Sequence, residues 1–276
     1  MRRLLAVSWL LTLLAHAAPA AARNWQAEAQ GFGARHDWRG LAGLAHRWTA
    51  AEPRNSLAWI MLGDAYGEMG VLGPMEQAMR QAAALTPSDP RPWELMAAYH
   101  AKRKDFSHAI PFLQQAVRVA PNDPASWLGL ATQWNNLATQ RQFNEGAAPA
   151  GALVDAGTAA DFRAAGQGFA RALALHAAPA GFLYRQIANS WLNANNYRHA
   201  IRAYIRGMNA TGPDSYALNG LALASHDLQA ACARVTSRPG APGVVIVTRS
   251  WTCDQESADL VRAGLGYVAR GGAAGR

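Results

Sequence analysis

The chain has two thiols, Cys232 and Cys253, both near the C-terminus. Such a pair can close a disulfide or stay free to react, and the redox compartment decides which. The other chemistry-bearing residues are scattered. No histidine stands in H-E-x-x-H, and neither cysteine lies in C-x-x-C or C-x-x-C-H. His100 and His108 flank an expected turn and read as solvated side chains. Lysine occurs only at Lys102 and Lys104, neither with a serine three residues before it, which removes an S-x-x-K site. The P-loop and G-x-S-x-G patterns are missing. Gly264, Gly266 and Ala269 spell a loose G-x-G-x-x-A, but within a helical pattern rather than between strand and helix, so the match reads as chance. Asn209-Ala210-Thr211 is a glycosylation acceptor by letters alone. The expectation is a protein that is not an enzyme and that needs no cofactor or metal. Catalysis would have to reside in the C-terminal tail.

The first residues bear on the compartment. Arg2 and Arg3 precede an apolar run from Leu4 to Ala15, and small residues follow through Ala22. This is the layout of a secretory signal peptide over residues 1–22, with an uncleaved membrane anchor as the alternative. Cleavage is expected, and after it no stable membrane insertion. In an exported chain, an even pair of cysteines predicts one disulfide between Cys232 and Cys253; a free reactive thiol is the rival. The net charge is +8, yet the basic residues are almost all arginine and follow a chain-wide arginine and alanine bias. No basic run is interleaved with aromatic residues, so nucleic acid is not an expected partner. The same bias points to a bacterial source and hence to the periplasm, or to secretion.

Half of the residues are apolar and 16 % are charged, a core-forming composition. The elements that form this core repeat. Trp25, Trp59, Trp93 and Trp127 follow one another at a constant spacing of 34, and so do Pro53, Pro87 and Pro121. In WIMLGDAY, Trp59, Leu62, Gly63 and Tyr66 occupy one helical stripe. A glycine within such a stripe costs about 1 kcal/mol against alanine, so close approach of a second helix must compensate. One helix pair cannot bury its apolar face alone, and stacked pairs can.

With these residues the chain resembles the tetratricopeptide repeat (TPR) family, whose 34-residue unit is a helix–turn–helix. The second repeat carries Trp59, Leu62, Gly63, Tyr66, Met79, Ala82 and Pro87, and departs from the pattern at Met75. The third carries Trp93, Ala97, Ala109, Leu113, Ala116 and Pro121. The fifth carries Tyr184, Ala188, Trp191, Ala200 and Tyr204. The step from Trp127 to Tyr184 is longer than one period, which places an insertion around residues 144–160. The resemblance implies an all-α, right-handed superhelical solenoid of about five antiparallel helix pairs over residues 23–235. A helix from Tyr216 to Arg234 looks like a first helix without its partner. Residues 236–276 read as a non-repeat cap: SRPGAPG breaks, VVIVTRSW is extended, and a helix capped by Asp254 presents Leu260, Leu265 and Val268 to one side. The extended segment is expected to lie along the end of the solenoid.

The resemblance also implies function: a protein–protein interaction scaffold of the cell envelope, with a protein or peptide partner held in a concave groove lined by first helices. The alternative is a small enzymatic or ligand-binding C-terminal segment with the repeats as its docking arm. The family's groove positions fall here on Phe182, Arg185, Asn189, Leu192 and Asn193 in the fifth repeat, on Thr132, Asn135 and Asn136 in the fourth, and on Arg91, Glu94 and Lys102 in the third. Arg185 could fork onto a carboxylate, and the amides could pair with any extended backbone. Arg185 and Asn189 match two positions of a carboxylate clamp used by some members. Ile60, Asp64, Glu94 and Ala98 at the equivalent offsets depart from the rest of it.

Overall fold

Short polar residues start the helices. Asn24, Asp37, Asn55, Asp105, Asn196 and Asp214 each accept a hydrogen bond from a backbone N–H two or three residues on, which satisfies an otherwise orphaned donor. A computed structural model of the chain describes residues 24–144, 154–239 and 245–274. The expected signal peptide lies outside the described residues. Helices α1 (Trp25–Ala34) and α2 (Trp38–Ala51) form the first pair. Then come α3 (Ser56–Glu68) with α4 (Leu72–Leu85), and α5 (Arg91–Lys102) with α6 (Phe106–Val119). The fourth pair is α7 (Pro124–Asn144) with α8 (Ala156–Ala174), and the fifth α9 (Ala180–Asn193) with α10 (Tyr197–Thr211). Finally α11 (Ser215–Cys232) is followed by β1 (Ala233–Pro239), β2 (Val245–Trp251) and α12 (Gln255–Ala274).

Two local devices account for the constant period. Trp59 and Trp127 each donate their indole N–H to the carbonyl of the proline six residues earlier, Pro53 and Pro121, at 2.9 Å. In these two repeats the aromatic residue staples the first helix to the turn before it. Within the first, second, third and fifth pairs the chain reverses through a left-handed residue eleven positions after the aromatic: His36, Gly70, Lys104 and Asn195 all have positive φ. Glycine and asparagine enter that region readily, and the others show the turn imposing it.

The glycine of the second repeat packs as its stripe demands. A Cβ on Gly63 would stand 2.8 Å from the Met79 side chain of α4. Apolar clusters pass the core from pair to pair rather than gathering it at one centre. One joins Ala45, Leu62 and Ala78, and another joins Met75, Met79, Met96 and Tyr99. That is the quasi-one-dimensional packing of a repeat array.

Three expectations are corrected. First, the expected loop of the fourth repeat ends earlier than read; α7 itself runs to Asn144, with Ala138 helical at the position where the other repeats turn. The helix resumes at Ala156, so the last part of the expected 144–160 loop is α8, and residues 145–153 lie outside the described residues. Second, α11 has a partner. Gln229, in the turn position of the sixth unit, is also helical, and α12 folds back onto α11. Val261 and Ser257 of α12 are buried, Leu260 and Val268 join the core cluster, and Leu265 faces solvent. Asp254 caps α12, as expected, by accepting from Ser257 N–H at 2.9 Å.

Third, the extended stretch does not lie along the end of the solenoid by itself. It pairs antiparallel with residues read as a helix end and a breaker, with Ala233 opposite Trp251 and Pro239 opposite Val245. The sixth unit is thus a helix pair whose turn has become a hairpin. Cys232 and Cys253 form the expected disulfide at the hairpin's root. Thr252 donates to the Cys232 carbonyl there through both its N–H and its hydroxyl. Among the described residues, no helix is long and apolar enough to cross a membrane.

Candidate interaction face

Successive first helices touch one another, α3 with α5, α5 with α7, and α9 with α11. The outward residues of the first helices therefore line a face in two stretches, one over α3, α5 and α7 and one over α9 and α11. On its N-terminal part, Tyr99 of α5 donates its hydroxyl to Asp64 Oδ1 of α3 at 2.5 Å, and Lys102 pairs with Glu68 at 3.0 Å. Burial pushes the Asp64 carboxyl above its ordinary value, and burial together with the Asp64 bond pushes the Tyr99 phenol well up. One repeat further on, the fully buried Ser126 hydroxyl of α7 donates to Glu94 Oε1 at 2.6 Å. These contacts set the spacing of adjacent first helices.

The fourth-repeat positions Thr132, Asn135 and Asn136 lie together on α7 and are half-buried. Thr132 donates its hydroxyl to the Leu128 carbonyl at 2.8 Å, and Asn136 donates to Gln133 at 3.3 Å. On α9, Asn193 is exposed on the final turn. Arg185 pairs with Asp214 at 3.3 Å, and both stay substantially exposed.

Asn189 is held on both sides. Its carbonyl oxygen accepts from the Tyr204 hydroxyl at 2.5 Å, and its amide donates to the Tyr216 hydroxyl at 2.8 Å. Asn189 thereby ties Tyr216, at the start of α11, to α9 and α10. Burial pushes the Tyr204 phenol up and keeps it a donor.

Of the apolar half of this face, sequence reasoning reached Phe182 and missed Tyr216 and Leu223. Phe182, Tyr216 and Leu223 are 39 %, 56 % and 52 % exposed. Tyr216 lies one repeat period after Phe182, and Leu223 one period after Asn189, so all three occupy groove positions of α9 and α11. The signal was present in the step from Tyr184 to Leu218, which is also one period. Leucine replaces the aromatic residue at that step and hides the register. Apolar groups flanked by a guanidinium and carboxamides can pack, donate and accept, which is the equipment of a binding surface.

The described residues also bring His100, Asp105 and His108 together at the turn between α5 and α6. His108 is exposed as expected, but His100 is 6 % exposed and not solvated.

A profile of the tetratricopeptide repeat matches residues 90–132. No curated protein matches the chain. A crystal structure of MamA is 11 % identical with a TM-score of 0.48, covering 67 % of this chain and 88 % of that one. A MamA from Desulfovibrio magneticus RS-1, residue 41 to the end, is 13 % identical with a TM-score of 0.47, covering 67 % and 92 %. YrrB, described as a TPR protein with an unusual peptide-binding site, is 13 % identical with a TM-score of 0.45, covering 71 % and 89 %. The repeat matched at residues 90–132 has the same helix pair, period and left-handed turn residue as the units before it, and the fifth unit repeats them, so the chain is built of units similar to that tetratricopeptide repeat.

Proposed function

We propose that this chain is a non-enzymatic scaffold of the bacterial cell envelope that holds a segment of a partner protein against the face of its first helices. The fold supports a protein–protein interaction scaffold. The observation that carries the finer reading is the row formed by Phe182, Tyr216 and Leu223, exposed at equivalent positions of α9 and α11 beside Arg185 and Asn193. Large apolar side chains exposed side by side mark contact sites more often than scattered ones do. Tyrosine held rigid by Asn189 loses little entropy on binding. The envelope assignment draws its support from the basic and apolar pattern of residues 1–22 and from the Cys232–Cys253 disulfide, a bond that persists in oxidising compartments.

The test is a peptide selected from a random library on the purified chain. Leu223→Asp should weaken its binding by about tenfold or more, the effect of losing an apolar anchor at an interface centre. Leu265→Asp on α12, at a similarly exposed leucine, should leave binding unchanged. Equal affinity in wild type and Leu223→Asp would remove the first-helix face from the account.

A further inference from the structure

Among the described residues, the turn between α5 and α6 gathers groups that the turns of the other repeats do not offer. His100 stands on the last turns of α5, and its ring packs 5.4 Å from the Phe112 ring of α6. Its Nε2 lies 3.1 Å from Glu76 Oε1 of α4, while Arg80 pairs with the other oxygen of that carboxylate. Its Nδ1 lies 3.3 Å from Asp105 Oδ2. The second oxygen of Asp105 lies 2.8 Å from His108 Nδ1. The backbone brings this about. Lys104 turns through positive φ, Asp105 N–H returns to the His100 carbonyl at 3.0 Å, and His108 follows on the first turn of α6. The equivalent positions of the first, second and fifth repeats hold Phe32, Asp37 and Gly40; Tyr66, Val71 and Pro74; and Trp191, Asn196 and His199.

A neutral imidazole has one N–H and one lone pair. If Glu76 takes the N–H on Nε2, the Nδ1 lone pair of His100 faces a carboxylate oxygen with no hydrogen between them. A positive charge placed there resolves the clash, and it can be a proton or a metal ion. A proton on His100 involves His100 and its two carboxylates only, whereas His108 directs a third donor at the same Asp105. One ligand atom from each of His100, Asp105 and His108 lies within 4.8 Å of the others. Bonds of about 2.0–2.1 Å in tetrahedral array put neighbouring ligand atoms roughly 3.3 Å apart. The 3.3 Å from Asp105 Oδ2 to His100 Nδ1 matches that value, and the 2.8 Å from Oδ1 to the exposed His108 Nδ1 is shorter.

We propose that His100, Asp105 and His108 bind one divalent transition-metal ion of the zinc class, with Glu76 orienting the His100 ring through its Nε2–H. Two imidazoles and a carboxylate suit zinc and its neighbours over calcium or magnesium. A carboxylate behind a ligating histidine fixes its tautomer and raises its basicity. Because His108 is exposed and Asp105 half-exposed, the ion enters from solvent and keeps a position open to water. Glu76 belongs to the second repeat and the other three groups to the third, so the ion also ties the two repeats together.

The test uses the untagged chain, stripped with chelator and titrated with Zn²⁺ near neutral pH by calorimetry, with Co²⁺ as a spectroscopic probe. One equivalent of Zn²⁺ should bind. Bound Co²⁺ should show the visible bands of a four-coordinate nitrogen and oxygen site, without thiolate charge transfer, since both cysteines are in the disulfide. His108→Ala and Asp105→Asn should each weaken binding by about tenfold or more, and His199→Ala should leave it unchanged. His108 is exposed, so its removal leaves the helix pair intact, and circular dichroism verifies this. No heat of binding at about 0.1 mM Zn²⁺, far above the range of a three-ligand zinc site, would overturn the proposal. So would affinity equal to wild type in His108→Ala, which would mark the histidine–carboxylate pairs as proton-bridged only.

Discussion

Gly67→Ala should destabilise the junction between the second and third repeats even though alanine is the better helix former. A Cβ at position 67 would stand 2.4–2.6 Å from three atoms of the Tyr99 ring. That ring cannot simply swing away. It is 6 % exposed, and its hydroxyl is bound to Asp64 at 2.5 Å. Overpacking costs about 1–3 kcal/mol. Displacing the ring also breaks a hydrogen bond to a charged acceptor, worth about 1.5–3 kcal/mol. The gain in helix propensity returns about 1 kcal/mol, which leaves a net loss of about 2–5 kcal/mol. The assay is urea unfolding followed by circular dichroism, on Gly67→Ala, Tyr99→Ala and the double variant. In the Tyr99→Ala background the clash is gone, so Gly67→Ala should be neutral or stabilising by about 1 kcal/mol. Equal effects in both backgrounds would refute the reasoning, because they would show that the ring is not what excludes a side chain at position 67.

Asn189→Ala should lower stability by about 1–3 kcal/mol, since it strands the buried Tyr204 hydroxyl and frees Tyr216; thermal unfolding checks this, and an unchanged midpoint would return Asn189 to the role of a free surface amide. Tyr99 and Tyr204 both hold their protons above the ordinary value of 10.0, so the folded state binds these protons more tightly than the unfolded one. Their contribution is complete below that ordinary value and is lost as pH rises beyond it. Melting curves across that range should fall steeply for wild type and less steeply for Tyr99→Phe with Tyr204→Phe. Reduction of Cys232–Cys253, which closes a sequence separation of 21, should cost about 3 kcal/mol in the chain-entropy model. Hydrogen exchange should rise in α11 and α12 and stay unchanged in α1 to α6.

The period was legible because its causes are local. An indole reaching a proline carbonyl six residues back recurs as letters at fixed spacing, whereas the turn eleven residues after the aromatic recurs at a fixed place in different letters. Of the two departures, the insertion was legible in the long step from Trp127 to Tyr184, and the partner of α11 was not. Ala138 and Gln229 are good helix formers where the other repeats turn, and they carry α7 and α11 onward. That clue is visible only once the turn position is known. The hairpin was half-read because β1 follows α11 without punctuation, and its pairing with β2 is a long-range choice. Around the candidate face, the four-residue spacing of Arg185, Asn189 and Asn193 could be read from the sequence. The commitment of Asn189 to Tyr204 and Tyr216 could not, because it depends on how three helices pack. His100 likewise reads as a solvated turn residue until α4 brings Glu76 against it.

Site-specific photo-crosslinking in envelope preparations tests the central claim most directly. A photoreactive residue placed at Leu223 or Asn193 samples the first-helix face. The same residue at Gln167 or Arg206 samples the open groove that α8 and α10 form over α9. The account predicts that positions 223 and 193 yield a shared crosslinked partner, mapped by mass spectrometry to one contiguous segment, and that Leu223→Asp abolishes the adduct formed from position 193. Adducts from positions 167 and 206 with none from 223 and 193 would contradict it and move the interaction to the opposite face.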